Sequence, residues 1–246
     1  LLSKFFKTEA LVLERRPLGE SDEIVALLSP HRGRFNAVAR GSRKASSQWV
    51  ARVEPFTLLS GQFAAGRKEL DYFNQARVVR AFGGLRQSLD KMVYGSYVLK
   101  LVRDGLEQGE SVAPFFRLLL DWLAFLEEHE PGPTLVRWFE LRLARQLGVE
   151  PELERCAGCG ASELVGFSPT VGGVVCRACA DRASLRLAPG ALGALRYLGR
   201  SSLESAGRLK LSESDGASLE LALVGHLAEH WPSGRRFPQL SKELLS

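Results

Sequence analysis

The sequence predicts an α+β protein: a small β-barrel over residues 1–80, then a helical region over 81–246 that carries a metal-binding insertion at about 150–185. Three observations carry this reading. Short apolar runs separated by Pro and Gly turns fill the first part, apolar stripes at helical spacing fill the second, and all four cysteines fall into two C-x-x-C pairs. A chain of 246 residues is long enough for one or two domains with cores that need no disulfide staples.

In the first part, five strands are expected at Thr8–Glu14, Glu23–Ser29, Arg34–Ala39, Pro55–Phe63 and Leu70–Val79. Pro17 with Gly19, Pro30 to Gly33, and Gly66 mark the turns, because Pro presets φ and Gly accepts the conformations a tight turn imposes. Five strands in so short a span suit a closed barrel of the OB-fold type, and closure removes exposed strand edges. The long connection from Arg40 to Glu54 then lies between the third and fourth strands.

Charge is concentrated in the same region. Residues 1–80 hold fourteen Lys and Arg against eight Asp and Glu, whereas the remainder is nearly neutral, so the chain's net +5 originates at the front. A basic surface of this kind is the electrostatic footprint of a polyanion-binding protein, although a solvated face is the plainer reading of any charge run. The cations expected to meet phosphate are Arg15, Arg16, Arg32, Arg34, Arg40, Arg43, Lys44 and Arg52, with Phe35 and Trp49 interleaved as either core residues or base-stacking rings. Arg15 and Arg16 are adjacent at a strand end and face opposite ways, so only one of them suits the role.

After Gly83 and Gly84 the period changes. Leu85, Leu89, Met92 and Val93, then Leu99, Val102 and Leu106, trace one helical stripe that stops at Gly109. A second helix is expected from Val112 to His129 and a third from Pro133, a favoured first position, to Gly148, a natural residue just past a helix end. Further helices are expected at Pro189–Leu198 and Ser214–Trp231. The longest apolar stretch, Val112 to Leu126, is broken by Arg117 and Asp121, and Leu1 to Lys7 shows no signal sequence, so a cytoplasmic location is expected.

Cys156-Ala-Gly-Cys159-Gly and Cys176-Arg-Ala-Cys179 are separated by sixteen residues. Two such knuckles can bring four thiolates onto one tetrahedral cation, so Cys156, Cys159, Cys176 and Cys179 are expected to bind a single Zn2+. A closed four-thiolate shell leaves no position for water or substrate, which makes that ion structural rather than catalytic. Leu164–Ser168 and Gly173–Cys176 are expected to pair as the intervening hairpin, with Phe167, Val174 and Val175 covering the metal.

Taken together, these parts resemble the RecO family of recombinational repair proteins. The strings that carry the resemblance are Val12-Leu-Glu-Arg-Arg-Pro-Leu-Gly-Glu-Ser-Asp-Glu-Ile-Val, His31-Arg-Gly-Arg-Phe, Ala39-Arg-Gly-Ser-Arg-Lys, Cys156-Ala-Gly-Cys-Gly and Val171-Gly-Gly-Val-Val-Cys-Arg-Ala-Cys. The resemblance implies an OB-fold that binds single- and double-stranded DNA, anneals complementary strands and helps load recombinase onto DNA coated by single-strand-binding protein. It implies RecR, the acidic tail of single-strand-binding protein and in some cases RecF as partners, and a place at the nucleoid. Some members of the family lack the cysteines, which makes the metal an architectural clamp.

Readings as an enzyme find little support. There is no phosphate-binding loop of the G-x-x-x-x-G-K-[ST] form, no dinucleotide fingerprint and no deaminase signature. Glu20, Asp22 and Glu23 could serve a metal-dependent nuclease but read more simply as turn and capping carboxylates. His226 and His230 lie four apart, without the Glu directly after the first His that a zinc protease uses, and are expected at the surface or at a cap. A zinc-ribbon RNA-binding or transcription-associated module is the alternative. Arg196, Arg200 and Arg208 are candidates for a second DNA contact in the helical part.

Overall fold

A computed structural model of the chain describes residues 5–66, 70–106, 108–187, 189–231 and 245; residues 1–4, read above for a signal sequence, lie outside these. Five strands, β1 (Phe5–Leu18), β2 (Asp22–Ser29), β3 (Gly33–Ala39), β4 (Thr57–Ala64) and β5 (Leu70–Ala81), pair in the order β1-β2-β3-β5-β4, and β4 returns to β1 to close the barrel. All neighbours are antiparallel except β3 and β5. The expected OB-type barrel is therefore present, with β1 longer than its apolar run. Its first half pairs with β4, its second half with β2, and a bulge between Val12 and Glu14 bends it from one partner to the other.

Ala10, Val12, Val25, Leu27, Phe35, Ala37, Ala39, Leu59 and Phe63 fill the barrel, with Trp49 and Val53 of the 40–54 connection joining them. Burying each large aliphatic or aromatic side chain of this set contributes about 1.5–3 kcal/mol. β2 is buried along nearly its whole length because its outer face is also covered: α1 (Leu89–Gly105) packs on β1 and α2 (Ala113–Glu128) on β2. Phe56 adopts a left-handed backbone (φ 66°) just before β4, and its ring lies where a side chain on Gly95 of α1 would stand, 2.8 Å from an ideal Cβ. Any larger residue at 95 would push α1 off the barrel.

The first helical stripe begins in a 3-10 turn (Gly83–Gln87), and α1 proper starts one residue after Ser88, whose Oγ accepts from the Lys91 N–H at 3.4 Å. Glu127 of α2 ties this turn down, accepting from the Gly84 N–H at 2.8 Å and from Arg80 at 3.1 Å. Residues 108–112 then run along the β2–β3 turn, where the Gly109 and Val112 amides donate to the carbonyls of Arg32 and Pro30. Chain contacts divide between His129 and Glu130, so the barrel, α1 and α2 form one compact unit.

The second unit contains α3 (Pro133–Gln146), a short hairpin of β6 (Gly166–Ser168) and β7 (Gly173–Val175), α4 (Pro189–Arg200), α5 (Leu203–Arg208) and α6 (Glu213–His230). α3 is its centre, packing against α4, α5 and α6, while α6 also meets β6. Pro133 opens α3 as expected, and Gly148 follows it with φ 72°. No described helix is long and apolar enough to cross a membrane.

Candidate nucleic-acid interface and metal centre

The eight cations singled out in the sequence fall into distinct settings. Arg40, Arg43 and Lys44 come together on the loop that leaves β3. This loop is fastened to the β1–β2 turn by three hydrogen bonds: the Gly41 N–H donates to Asp22 Oδ1 at 2.8 Å, the Arg43 N–H to the Ser21 carbonyl at 3.0 Å, and Arg43 Nη1 to the Gly19 carbonyl at 3.1 Å. The Gly41 N–H holds the Asp22 carboxyl below its ordinary range, with smaller help from Ser21, Arg40 and Lys44. The Arg40 guanidinium lies 4.7 Å over the Tyr72 ring of β5. None of these three cations forms an ion pair with a described carboxylate, so their charge is available to a ligand.

Arg32 and Arg34 hang from the other end of β3. Arg32 stacks on Phe6 at 3.8 Å and meets Asp71 at 3.3 Å, and Arg34 donates through Nε to the Leu106 carbonyl at 3.0 Å. With Phe35, Asp71, Gln108 and Gly109 they border a hollow of about 390 Å³. Arg15 is tied up, 2.8 Å from Glu54 and 3.5 Å from the buried Glu23, whereas Arg16 on the opposite side of the strand is exposed. Arg52 donates to Gln48 Oε1 at 3.1 Å and lies 5.8 Å from the Trp49 ring.

Of the two interleaved rings, Phe35 is 4% exposed inside the barrel and Trp49 is 7% exposed, packed on Phe73 at 5.3 Å; both are core. The ring that faces outward beside the loop is Tyr72, half-buried under Arg40 and absent from the sequence-derived candidates. Its signal was the period-2 alternation of β5, in which Phe73 turns inward and Tyr72 outward. Asp22 had no comparable signal, because its partner is 19 positions away. The carboxylates weighed for nuclease chemistry are occupied structurally: Asp22 holds Gly41 and Glu23 faces Arg15, while Glu20 is exposed.

In the second unit the four cysteine sulfurs lie within 4.8 Å of one another, with 3.6 Å between Cys159 Sγ and Cys176 Sγ, and all four are free thiols. Each knuckle is a turn closed on its first cysteine: the Gly160 N–H donates to the Cys156 carbonyl at 2.8 Å, and the Ala180 N–H to the Cys176 carbonyl at 3.0 Å. Gly158 is needed here, since a side chain on it would stand 3.0 Å from Cys179 Sγ. The β6–β7 hairpin between the knuckles forms as expected. Val175 packs on the sulfurs together with Ala161, Leu164 and Val171, whereas Phe167 turns away to the His226 ring at 6.0 Å.

This donor set fits a tetrahedral metal. Zinc–sulfur bonds of about 2.3 Å place sulfurs about 3.8 Å apart, within the observed cluster. The Cys176 N–H, 3.3 Å from Cys156 Sγ, helps to lower that thiol to about 6, while the neighbouring Cys159 thiol leads the effects that push Cys179 up to about 12. One thiolate is favoured by the backbone and further ones are opposed by crowding, a conflict that a bound dication removes.

His226 departs from the expected surface or cap position, whereas His230 stands half-buried at the last residue of α6. His226 is buried on α6, its Nε2 2.6 Å from the Val149 carbonyl, and burial pushes its ring down to about 4. His230 Nε2 lies 2.5 Å from the Pro169 carbonyl just beyond β6. The pair fastens α6 to the end of α3 and to the cysteine hairpin. Arg196 donates to the Leu153 carbonyl at 2.8 Å and Arg200 pairs with Glu154 at 2.7 Å, while Arg208 is exposed.

Comparison with known proteins agrees with this architecture. Residues 3–82 match the family model described as Recombination protein O N terminal, and residues 86–236 match Recombination protein O C terminal. The chain is 33% identical over 231 residues to the DNA repair protein RecO of Symbiobacterium thermophilum, covering 90% of each. It is 35% identical over 236 residues to that of Anaeromyxobacter dehalogenans, covering 94% of this chain and 92% of the relative. It is also 37% identical over 232 residues to that of Pelotomaculum thermopropionicum, covering 92% and 90%.

Proposed function

Since the chain belongs to the RecO family of DNA repair proteins, we propose that it is a recombination mediator that binds single- and double-stranded DNA, anneals complementary strands and helps load recombinase onto DNA coated by single-strand-binding protein. The observation that carries this reading is the loop bearing Arg40, Arg43 and Lys44, held by Asp22 and Gly19, whose cations form no ion pair with a described carboxylate. Annealing asks for two polyanions to be neutralised side by side while their base edges stay free, and uncommitted Arg and Lys on a fixed loop do that without covalent chemistry. Arg16 and Arg52 extend the same phosphate-binding role, while Arg34 serves it from the other end of β3 and Arg15 and Arg32 do so only by leaving their carboxylates.

On this reading residues 1–80 are the nucleic-acid-binding domain and 81–246 the helical domain. Cys156, Cys159, Cys176 and Cys179 hold one structural Zn2+ that fixes the hairpin between them; the metal supplies folding energy and no reaction chemistry. RecR, the acidic tail of single-strand-binding protein and RecF are the proposed partners in the cytoplasm.

The test is a strand-annealing assay with complementary oligonucleotides, bare and coated by single-strand-binding protein. The expected result is faster pairing in both, with strands of unchanged length. Shortened strands would point to a nuclease, and a preference for RNA without DNA annealing to an RNA-binding module; either would overturn the reading.

A further inference from the structure

The outer surface of the barrel is of two kinds. α1 and α2 pack on β1 and β2, whereas β5 and the first half of β1 present exposed polar residues. There the strand register aligns Lys7, Gln62 and Gln75 in one row across β1, β4 and β5, and Ser60 with Arg77 in the next. These five side chains and Ala76 line a hollow of about 260 Å³. A bulge in the β4–β5 ladder, where Gln62 faces Gln75 but Phe63 faces Phe73, turns this stretch of β5 outward.

The chemistry of the hollow is distinctive. Lys7 and Arg77 form no ion pair with any described carboxylate. The one carboxylate in these two rows is Glu9, opposite Ser60 and therefore two strand spacings, about 10 Å, from Arg77. Between the two cations stand two side-chain amides, each able to donate and accept. The hollow is also continuous with the loop already described: Arg40 covers Tyr72, and β5 then runs from Tyr72 to Arg77, about 16 Å along one strand.

We infer that this face is a second contact for single-stranded nucleic acid, reached from the 40–44 loop across Tyr72, in which Lys7 and Arg77 hold phosphates and Gln62 and Gln75 hydrogen-bond the edges of unpaired bases. The inference rests on the DNA-binding reading above and extends it to a site on a different face of the barrel. An unpaired strand is the occupant because amides that donate and accept match the Watson–Crick edges of bases, which are free in a single strand and taken up by pairing in a duplex. An acidic peptide would use the two cations but find little in the hollow to anchor an apolar side chain, since Gly61 has none and Ala76 turns inward onto the barrel core.

The test uses the full chain and fluorescence anisotropy with oligothymidylates of graded length, a duplex of the same length and a polyglutamate peptide. K7E/R77E is expected to weaken binding of long oligothymidylate by about tenfold and to reduce the salt slope by about 2, while the shortest oligonucleotide binds as in the parent. Q62A/Q75A, milder and uncharged, is expected to weaken single-strand binding and leave the duplex unchanged. Thermal melting of each variant, matching the parent, shows that the fold is retained.

If both variants bind every oligonucleotide as the parent does while R43E/K44E loses binding, this inference falls and the earlier reading stands. If R43E/K44E also binds normally, the earlier reading falls as well. Loss of polyglutamate binding alone in K7E/R77E would assign the face to an acidic protein segment and overturn the inference.

Discussion

Arginine does different work on the loop after β3 and around the helices of the second unit. On the loop after β3, Arg40 and Arg43 are placed by a ring and by a backbone carbonyl, and neither forms an ion pair with a described carboxylate. In the second unit Arg142 donates to the carbonyls of Gly199 and Ser201, Arg196 to that of Leu153, Arg200 pairs with Glu154, and Arg137 is buried 3.3 Å from Glu140. The residue type is the same; what differs is the supply of carboxylates and helix-end carbonyls within reach. A positive side chain meets phosphate most readily where the fold has given it no anion of its own, and otherwise must first leave its partner.

The comparison can be broken at several points. The largest effect is expected from the metal: C156S or removal of zinc by a chelator should unfold the hairpin, since zinc contributes on the order of 10–16 kcal/mol in isolated fingers. Elemental analysis should give one zinc per parent chain and less in the variant, with the melting temperature falling while DNA binding through the barrel loop persists. A chain that melts at the same temperature without metal would contradict the structural assignment.

Next comes His226. Burial lowers its folded-state value to about 4, below the ordinary 6.5, so the unfolded chain takes up a proton first as pH falls. Stability is full above about 6.5 and declines toward about 4, by an amount on the order of 3 kcal/mol. Denaturant titrations at pH 7 and pH 4.5 should show that loss in the parent and a smaller one in H226Q.

R43E/K44E should then lower single-strand affinity about tenfold to a hundredfold at moderate salt and reduce the salt slope by about 2. D22A and D22N separate charge from position. If Asp22 acts only as an anion near the DNA path, both variants bind more tightly. If it positions the loop, D22A weakens binding several-fold, whereas D22N, whose amide oxygen still accepts from Gly41, does not. Smallest is R196A/R200A, expected to leave DNA affinity unchanged and to alter stability by about 0–1 kcal/mol per exposed pair, because those side chains are already engaged.

Much of the fold was legible because its signals are local. Apolar runs bounded by Pro and Gly located all five barrel strands, Pro133 and Gly148 located α3, and the paired C-x-x-C spacing brought four sulfurs together. What was not legible depends on partners distant in sequence. The strand β1 extends beyond its apolar core because two different strands continue to pair with its ends. α5 is a six-residue helix, too short to show a period. His226 looked exposed because nothing near it in sequence announces Val149 as its partner. The candidate site divides in the same way: a list of cations can be read from the chain, but which of them are neutralised, as Arg15 is by Glu54, is decided only when strands and loops meet.

The salt dependence of oligonucleotide binding by the intact chain addresses the central claim most directly. If some four to six phosphates are held by uncommitted cations, the logarithm of the affinity should fall against the logarithm of salt concentration with a slope of about −3 to −5. A slope near zero would mean that phosphate is not what the barrel holds.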